Sequence, residues 1–422
     1  MQADFDRQNL DQWLAWLEKL HPSTIDLGLE RVRRVFERLQ LDLRPIHCVI
    51  VGGTNGKGST VAMLAATLSA AGHTVGTYTS PHLLRYNERV CLDGEPVDDA
   101  SLCAAFNAVE AVRGDVSLTY FEYGTLAALV LFAARQPEYL ILEVGLGGRL
   151  DAVNIVEPAL SILTNVALDH VDWLGSTREA IGREKAGIFR AGKPAVYGET
   201  DAPDSVLQTA RAFGTRLLRK GVDYTWEEHG DTWTWRGHDA QGQALEFAAL
   251  PRNGFPFDNA AAVVQALQYL SPALPEAALR QGLRDIVVPG RFQELRHAER
   301  KVILDVAHNP HAAANLAHNL RTRLGGGRVL MVLAMLGDKD SAGVISLLAP
   351  QADRLYAAPL GGERGSSAEI IYNHARKLGH AQVSRHDSVA AAFQAALADS
   401  EPADTIVVTG SFHTVAAVLE LI

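Results

Sequence analysis

The sequence predicts a two-domain α/β protein built on mainly parallel sheets. Apolar strand-like runs alternate with helical patterns along most of the chain, and that alternation implies parallel strands with both faces covered. The 422 residues are too many for one ordinary core. The alternation also breaks at Val288-Pro289-Gly290-Arg291-Phe292, which reads as a hinge, and begins afresh beyond it. The expected domains are residues 1–288 and 289–422.

Residues 10–40 read as helix, with Trp13, Trp16, Leu17 and Leu20 spaced for one face. His21-Pro22-Ser23-Thr24 interrupts it, and a second helix begins near Leu29. Strands follow at Cys48–Val51, Thr74–Thr79, Tyr139–Val144 and Ala159–Leu163, with helices between most of them. Residues 222–250 differ. Tyr224, Trp226, Trp233, Trp235 and Phe247 sit among polar residues and turn signals, which suggests a small antiparallel insertion with its aromatics packed inward. Helices return at 258–270 and 275–286. In the second domain strands are expected at Val302–Val306, Val329–Ala334, Arg354–Ala358 and Thr405–Val408, and helices at 310–323, 339–349, 367–378 and 388–399.

The hydrophobic fraction is 47% and the charged fraction 21%, as in soluble globular proteins. A net charge of −10 argues against a general nucleic-acid surface or a polybasic membrane anchor. Cys48, Cys91 and Cys103 have no metal-ligand spacing and read as small buried apolar residues in a reducing compartment. Met1–Asp6 is acidic and has no signal-peptide core. The apolar run around Leu126–Ala134 is too short to span a bilayer. The expected location is cytoplasmic.

The most informative segment is Gly52-Gly53-Thr54-Asn55-Gly56-Lys57-Gly58-Ser59-Thr60, between an apolar strand and a helix carrying Val61, Met63, Leu64 and Leu68. A glycine loop at a helix N-terminus presents backbone N–H groups and partial positive charge to phosphate. Lys57 adds a full charge for the outer phosphates, and nearby hydroxyls suit Mg²⁺. The usual spacing is not kept: Val51 stands where the first glycine belongs, and Gly58 where the hydroxyl belongs. The N-terminal domain is thus expected to be P-loop ATPase-like, and the C-terminal domain Rossmann-like.

Other candidates close strands at the sheet edge where ligands bind in parallel α/β folds. Ser80 and His82 follow the second strand in a Ser-Pro turn. Glu143 lies inside the apolar run Leu140–Val144, so its carboxylate needs hydrogen bonds, an ion pair or a hard cation such as Mg²⁺. The glycines at 145, 147 and 148 let backbone approach a ligand closely. Asp169-His170 follows the next strand and offers a second metal position, although a single histidine is more often structural. Lys185 sits on a polar helical stretch, and spacing alone reads it as a solvated charge. In the second domain Asp305 is placed to hold a nucleotide hydroxyl, with His308, Ser411 and His413 near the same edge. Arg291 in the hinge is placed to reach phosphate as the domains close on a ligand.

Taken in order, Thr24–Arg31, Gly53–Ser59, Ser80–Leu83, Tyr120–Thr125, Leu142–Arg149, Asp169-His170, Glu184–Gly187, Pro289–Arg291 and Asp305–Pro310 resemble folylpolyglutamate synthases. The likeness spans nearly the whole chain, and it is greatest to bacterial bifunctional enzymes that are also dihydrofolate synthases, within the Mur ligases. The off-pattern glycine loop is that family's own form. The resemblance implies that ATP phosphorylates a pteroate or folate carboxylate and that L-glutamate attacks the acyl phosphate. Carried over by position, Asn55, Gly56, Lys57, Gly58 and Ser59 bind the ATP phosphates, and Asn259, Arg291 and Asp305 also contact ATP. Ser80 and Glu143 hold one Mg²⁺, and His170 helps hold a second. Lys185 matches a lysine carboxylated to a carbamate. Lys57, Lys185 and His170 are the implied catalytic set. Thr24, Ile25, Asp26, Leu27, Thr119, Tyr120, Phe121, Glu122, Leu150, Asp151 and Ala152 match the dihydropteroate pocket.

The implied partners are dihydropteroate, tetrahydrofolates and L-glutamate, with neither nucleic acid nor membrane, and the family is usually monomeric. A monofunctional folylpolyglutamate synthase is a close alternative, which Thr24–Leu27 and Thr119–Phe121 speak against. A ligase for a cell-wall nucleotide precursor is opposed by Thr24–Arg31. A non-catalytic nucleotide switch would not need Glu143, His170 and Lys185 together.

Overall fold

The computed structural model describes residues 9–252, 254–362 and 364–422; the acidic Met1–Asp6 segment lies outside them. The chain divides into two compact units, Met1–Asn253 with Phe257–Ile286, and Gly254–Pro256 with Val287–Ile422.

The first unit carries an eight-stranded sheet. Its strands run, edge to edge, Glu95–Pro96, Val90–Leu92, Val75–Tyr78, Tyr139–Glu143, His47–Gly52, Leu160–Leu163, Pro194–Tyr197 and Arg216–Arg219. The first two pair antiparallel and the rest parallel. Tyr139–Glu143 and Leu160–Leu163 are buried throughout, as interior parallel strands require. The chain leaves His47–Gly52 toward one edge and Leu160–Leu163 toward the other. These neighbours therefore form the switch point at which parallel α/β sheets bind ligands.

Helices around this sheet begin where side chains satisfy their first N–H groups. Asn9 Oδ1 accepts from Gln12 N at 3.0 Å, opening Leu10–Leu20, whose Leu10, Trp13 and Leu17 face the core. Thr119 and Glu122 form a reciprocal capping box at the start of Tyr120–Arg135: Glu122 N donates to Thr119 Oγ1 at 3.2 Å, and Thr119 N to Glu122 Oε2 at 2.8 Å. The expected insertion is a three-stranded antiparallel sheet of Thr225–His229, Thr232–His238 and Ala244–Pro251. Tyr224, Trp233 and Trp235 are buried, so these aromatics do pack inward. The second unit has a six-stranded sheet in the order Gln293–His297, Arg300–Asp305, Thr405–Thr409, Val329–Leu333, Arg354–Ala357 and Val383–Arg385, antiparallel only at the first pair.

Every strand expected from an apolar run is present. Those not foreseen are mostly marginal: Glu95–Pro96, Arg216–Arg219, Gln293–His297 and Val383–Arg385 all lie at sheet edges. An edge strand needs no continuous apolar run, which is why its pattern is weak. Of the cysteines only Cys48 is buried; Cys91 and Cys103 are half-exposed, which corrects the expectation for those two. No helix among the described residues is long and apolar enough to cross a membrane.

The helix Glu276–Asp285 packs very closely on Lys57–Ala70, the helix that the glycine loop opens. A Cβ at Gly282 would stand 2.5 Å from the Thr67 Cα. Gly282→Ala should therefore destabilise the first unit by about 1–3 kcal/mol through overpacking. Thermal unfolding checks this, and an unchanged midpoint would show that the helices can part without cost.

Candidate active site

The loop at the switch point requires glycine twice. Gly53 has φ +142° and a Cβ there would lie 1.8 Å from Thr164 Oγ1; Gly56 has φ +80° and its Cβ would lie 2.1 Å from Asn259 Nδ2. The neighbouring strand end braces the loop. Thr54 N donates to Asn165 O at 3.0 Å and Asn55 N to Asn165 Oδ1 at 2.9 Å, while Thr164 Oγ1 and Asn165 Nδ2 donate to Asn55 O at 2.7 and 2.8 Å. Asn55 N–H is thus engaged within the protein. The N–H groups at the start of Lys57–Ala70, from Lys57, Gly58 and Ser59, are the ones a helix leaves for a ligand. Asn259, 3% exposed, reaches this loop from the helix Phe257–Leu270.

Two lysines converge on one carbonyl. Lys57 Nζ donates to Gly53 O at 3.1 Å and to Thr54 O at 3.2 Å, and Lys185 Nζ donates to Gly53 O at 2.9 Å. Lys185 is only 5% exposed, which overturns its reading as a solvated charge. Its helix, Arg178–Ala186, meets the glycine run after Glu143 backbone to backbone: a Cβ at Gly148 would be 2.8 Å from Lys185 O. Burial first, and then the Lys57 charge, bring the Lys185 pKa down to about 7, against the opposing pull of Asp169 and Asp151.

Glu143 is 4% exposed and accepts from Ser80 N at 3.1 Å. A Cβ at Gly58 would stand 3.5 Å from its Oε2, so the carboxylate overlooks the helix start. No three His, Cys, Asp or Glu side chains among the described residues gather as a metal cage. This donor set nevertheless fits Mg²⁺, which takes one or two carboxylates and completes its shell with phosphate, hydroxyl and water. Asp169 is half-buried. His170 is exposed at φ +50°, its N–H donating to Asp169 Oδ1 at 2.9 Å. His82 Nδ1 accepts from Arg89 Nε at 2.8 Å. Burial, and then the Arg89 charge, hold its pKa below the usual value.

The expected acceptor residues come from three segments of the first unit. The loop holding Thr24, Ile25, Asp26 and Leu27 is half-exposed, with Thr24 fully so. Tyr120 and Phe121 open a helix, and the Phe121 ring lies so close to Gly145 that a Cβ there would be 2.7 Å away. Leu150, Asp151 and Ala152 follow the glycine run. Asp151 accepts from Leu146 N at 2.9 Å and Val153 N at 3.0 Å. Burial raises its pKa to about 6 against those hydrogen bonds and the Lys57 charge. Arg31 ties two of the segments together, bonding both Asp26 and Glu122. Sequence reasoning assigned no role to Arg31, which ends the marked Thr24–Arg31 segment, or to Thr164 and Asn165, which follow the expected strand Ala159–Leu163.

In the second unit Asp305 accepts from Phe292 N at 2.8 Å and Ala307 N at 2.9 Å. Burial raises its pKa, and the Arg291 charge opposes that. The Arg291 guanidinium stacks 4.7 Å from the Phe412 ring centroid. His308 Nδ1 lies 2.9 Å from Val306 O, Ser411 caps the last helix, and His413 is exposed.

A braced phosphate-type loop beside a buried carboxylate defines a class that the family models also recognise. Residues 51–229 match the Mur ligase middle domain and residues 290–412 the Mur ligase, glutamate ligase domain. The dihydrofolate synthase/folylpolyglutamate synthase of Escherichia coli (strain K12) is 49% identical over 98% of this chain and 95% of its own length. The solved structure of E. coli FolC in complex with DHPP and ADP superposes with a TM-score of 0.92 at 47% identity, covering 98% of each chain. A bifunctional folylpolyglutamate synthase/dihydrofolate synthase with Mn, AMPPNP and L-glutamate bound gives 0.90 at 45% identity, again over 98% of each. The chain belongs to the dihydrofolate synthase/folylpolyglutamate synthase family.

The buried lysine has a measurable signature. An unfolded lysine keeps its proton up to about pH 10.4, while folded Lys185 loses it near 7. Below pH 7 both states are protonated and the cost of burying the charge is complete. Between about 7 and 10.4 only the unfolded state holds the proton, so stability rises with pH. Lys185→Met should therefore raise the unfolding midpoint at pH 6 in CO₂-free buffer, with the advantage shrinking as pH rises toward 10. A pH-independent difference would contradict this.

Proposed function

We propose that this protein is an ATP-dependent ligase that joins L-glutamate to dihydropteroate, forming dihydrofolate, and to tetrahydrofolates, forming polyglutamates. The observation that carries the reading is the pair of lysines on the Gly53 carbonyl, beside a buried carboxylate and a helix N-terminus. Lys57 and the start of its helix concentrate positive charge where a triphosphate would end. The ligands bound in the relatives support nucleotide, divalent cation and glutamate as partners.

A carboxylate resists amines until one oxygen becomes a good leaving group. Transfer of the ATP γ-phosphoryl group to the acceptor carboxylate gives an acyl phosphate and ADP. The glutamate amine then attacks the acyl carbon, the C–N bond forms, and phosphate leaves as the amine gives up its proton. Lys57 and the N–H groups of Gly56–Ser59 stabilise the charge on the transferred phosphate. By the family likeness, Asn259 in the first unit is assigned to the nucleotide, as are Arg291 and Asp305 in the second. Ser80 and Glu143 would hold one Mg²⁺ and His170 would help hold a second; when bound, such cations would neutralise developing phosphate charge. Lys185 is a buried amine with a pKa of about 7, so a large share is unprotonated at neutral pH. An unprotonated amine adds CO₂ and loses a proton to give a carbamate, which turns a positive group into a negative one that can steer the second cation. Asp151, with Leu150, Ala152, Thr24–Leu27 and Thr119–Glu122, holds the pteroate. We read the enzyme as a cytoplasmic monomer.

Purified protein given dihydropteroate, L-glutamate and ATP should release phosphate and form dihydrofolate. Turnover of tetrahydrofolate without turnover of dihydropteroate would make it monofunctional. Lys185→Ala should abolish turnover, by about a thousandfold or more on the scale of a lost charge-stabilising group, while ATP binding by calorimetry stays largely intact. Full activity in that variant would remove the carbamate from the mechanism.

A further inference from the structure

The loop Thr24–Leu27 has no regular structure of its own. It lies between the helices Leu10–Leu20 and Glu30–Leu39, and its side chains are half-exposed or exposed. Such a segment holds one shape only if something outside it grips it. Ser23 Oγ donates to Ile25 O at 2.6 Å, and the grip from the following helix is a guanidinium on its first turn. Arg31 Nη1 lies 2.7 Å from Asp26 Oδ2, and Arg31 Nη2 donates to Asp26 O at 2.7 Å. Backbone and side chain of one loop residue are therefore both held. The same Nη2 also donates to Glu122 Oε1 at 3.1 Å.

Glu122 is itself fixed. It is 4% exposed, and its other oxygen takes Thr119 N in the capping box. One rigid helix start thus sets the position of Arg31, and Arg31 sets the position of Asp26. The remaining guanidinium nitrogen, Nε, is buried with no hydrogen-bond partner, so the two terminal nitrogens alone aim the fork. His21 Nε2 stands 3.5 Å from the same Asp26 oxygen and backs the contact from the preceding helix.

We propose that Arg31 is a positioning residue for the acceptor substrate, locking the Thr24–Leu27 loop to the Thr119–Glu122 helix start so that both sides of the pteroate pocket keep one spacing. The inference rests on the assignment of those two segments to the pteroate under the proposed function. Arg31 acts through Asp26 and Glu122 and takes no part in phosphoryl transfer. Lysine cannot replace it, because an ammonium is a point charge without the planar fork that spans two carboxylates.

The test is steady-state kinetics on the full chain with dihydropteroate, run on the parent, Arg31→Lys, Arg31→Gln, Glu122→Gln and the Arg31→Gln/Glu122→Gln double variant. Both Arg31 variants should raise the dihydropteroate KM by about tenfold, the scale of one lost charge-assisted hydrogen bond. The KM values for ATP and glutamate and the kcat should stay within about twofold. The double variant should raise the dihydropteroate KM by less than the product of the two single effects, because the two residues act in one chain. A merely structural role would instead lower the unfolding midpoint and depress kcat with every substrate. That result overturns the proposal, as does an unchanged dihydropteroate KM in folded Arg31→Gln protein. If the parent itself turns over no dihydropteroate, the proposed function fails and the clamp fails with it; if the parent is active and the variants match it, only the clamp fails.

Discussion

The Gly53 carbonyl accepts hydrogen bonds from two lysine side chains, and much of the first unit serves to make that possible. Two like charges on one oxygen repel each other, and burial adds to the cost. The structure meets this by lowering the Lys185 pKa to about 7, with Asp169 and Asp151 supplying opposing charge. It also needs a carbonyl aimed at both amines, which the φ of +142° at Gly53 provides. The side chain of Thr164 closes the space a Cβ would need there. Loop, neighbouring strand end and Lys185 helix are thus parts of one electrostatic arrangement, set where the sheet changes direction.

Much of this was legible in the sequence because it is local. A strand, a glycine-rich turn and a helix lie within about twenty residues, and their residue types state their conformations. The interior strands were legible for the same reason: parallel strands buried on both faces are continuous apolar runs. Edge strands such as Arg216–Arg219 are half polar and were missed. Lys185 marks a different boundary. Its helix is polar in composition, and the buried amine meets its partner, the Gly53 carbonyl, 132 residues earlier in the chain. No spacing rule within the helix reports that contact; only family resemblance pointed to it. Arg31, Thr164 and Asn165 were passed over because each acts through hydrogen bonds to distant backbone or carboxylate groups.

The two sheets handle their terminal carboxylates alike. Asp305 ends the strand Arg300–Asp305 and Asp151 follows the glycine run after Tyr139–Glu143; both accept two backbone N–H bonds, and both have a pKa raised by burial against a nearby cation, Lys57 or Arg291. In each case the backbone holds the carboxylate where it stands.

The Asn259 amide fills the space over Gly56, and this has a consequence for how the protein is made. Asn259 follows the loop by roughly two hundred residues, so it is synthesised long after the loop and its strand. Helix and sheet can associate early, but the loop cannot acquire its final neighbour until Phe257–Leu270 has left the ribosome and docked. The packing around the loop is therefore completed late in synthesis. A nascent chain halted in the insertion would lack Asn259, so its glycine loop would stand without the side chain that covers Gly56.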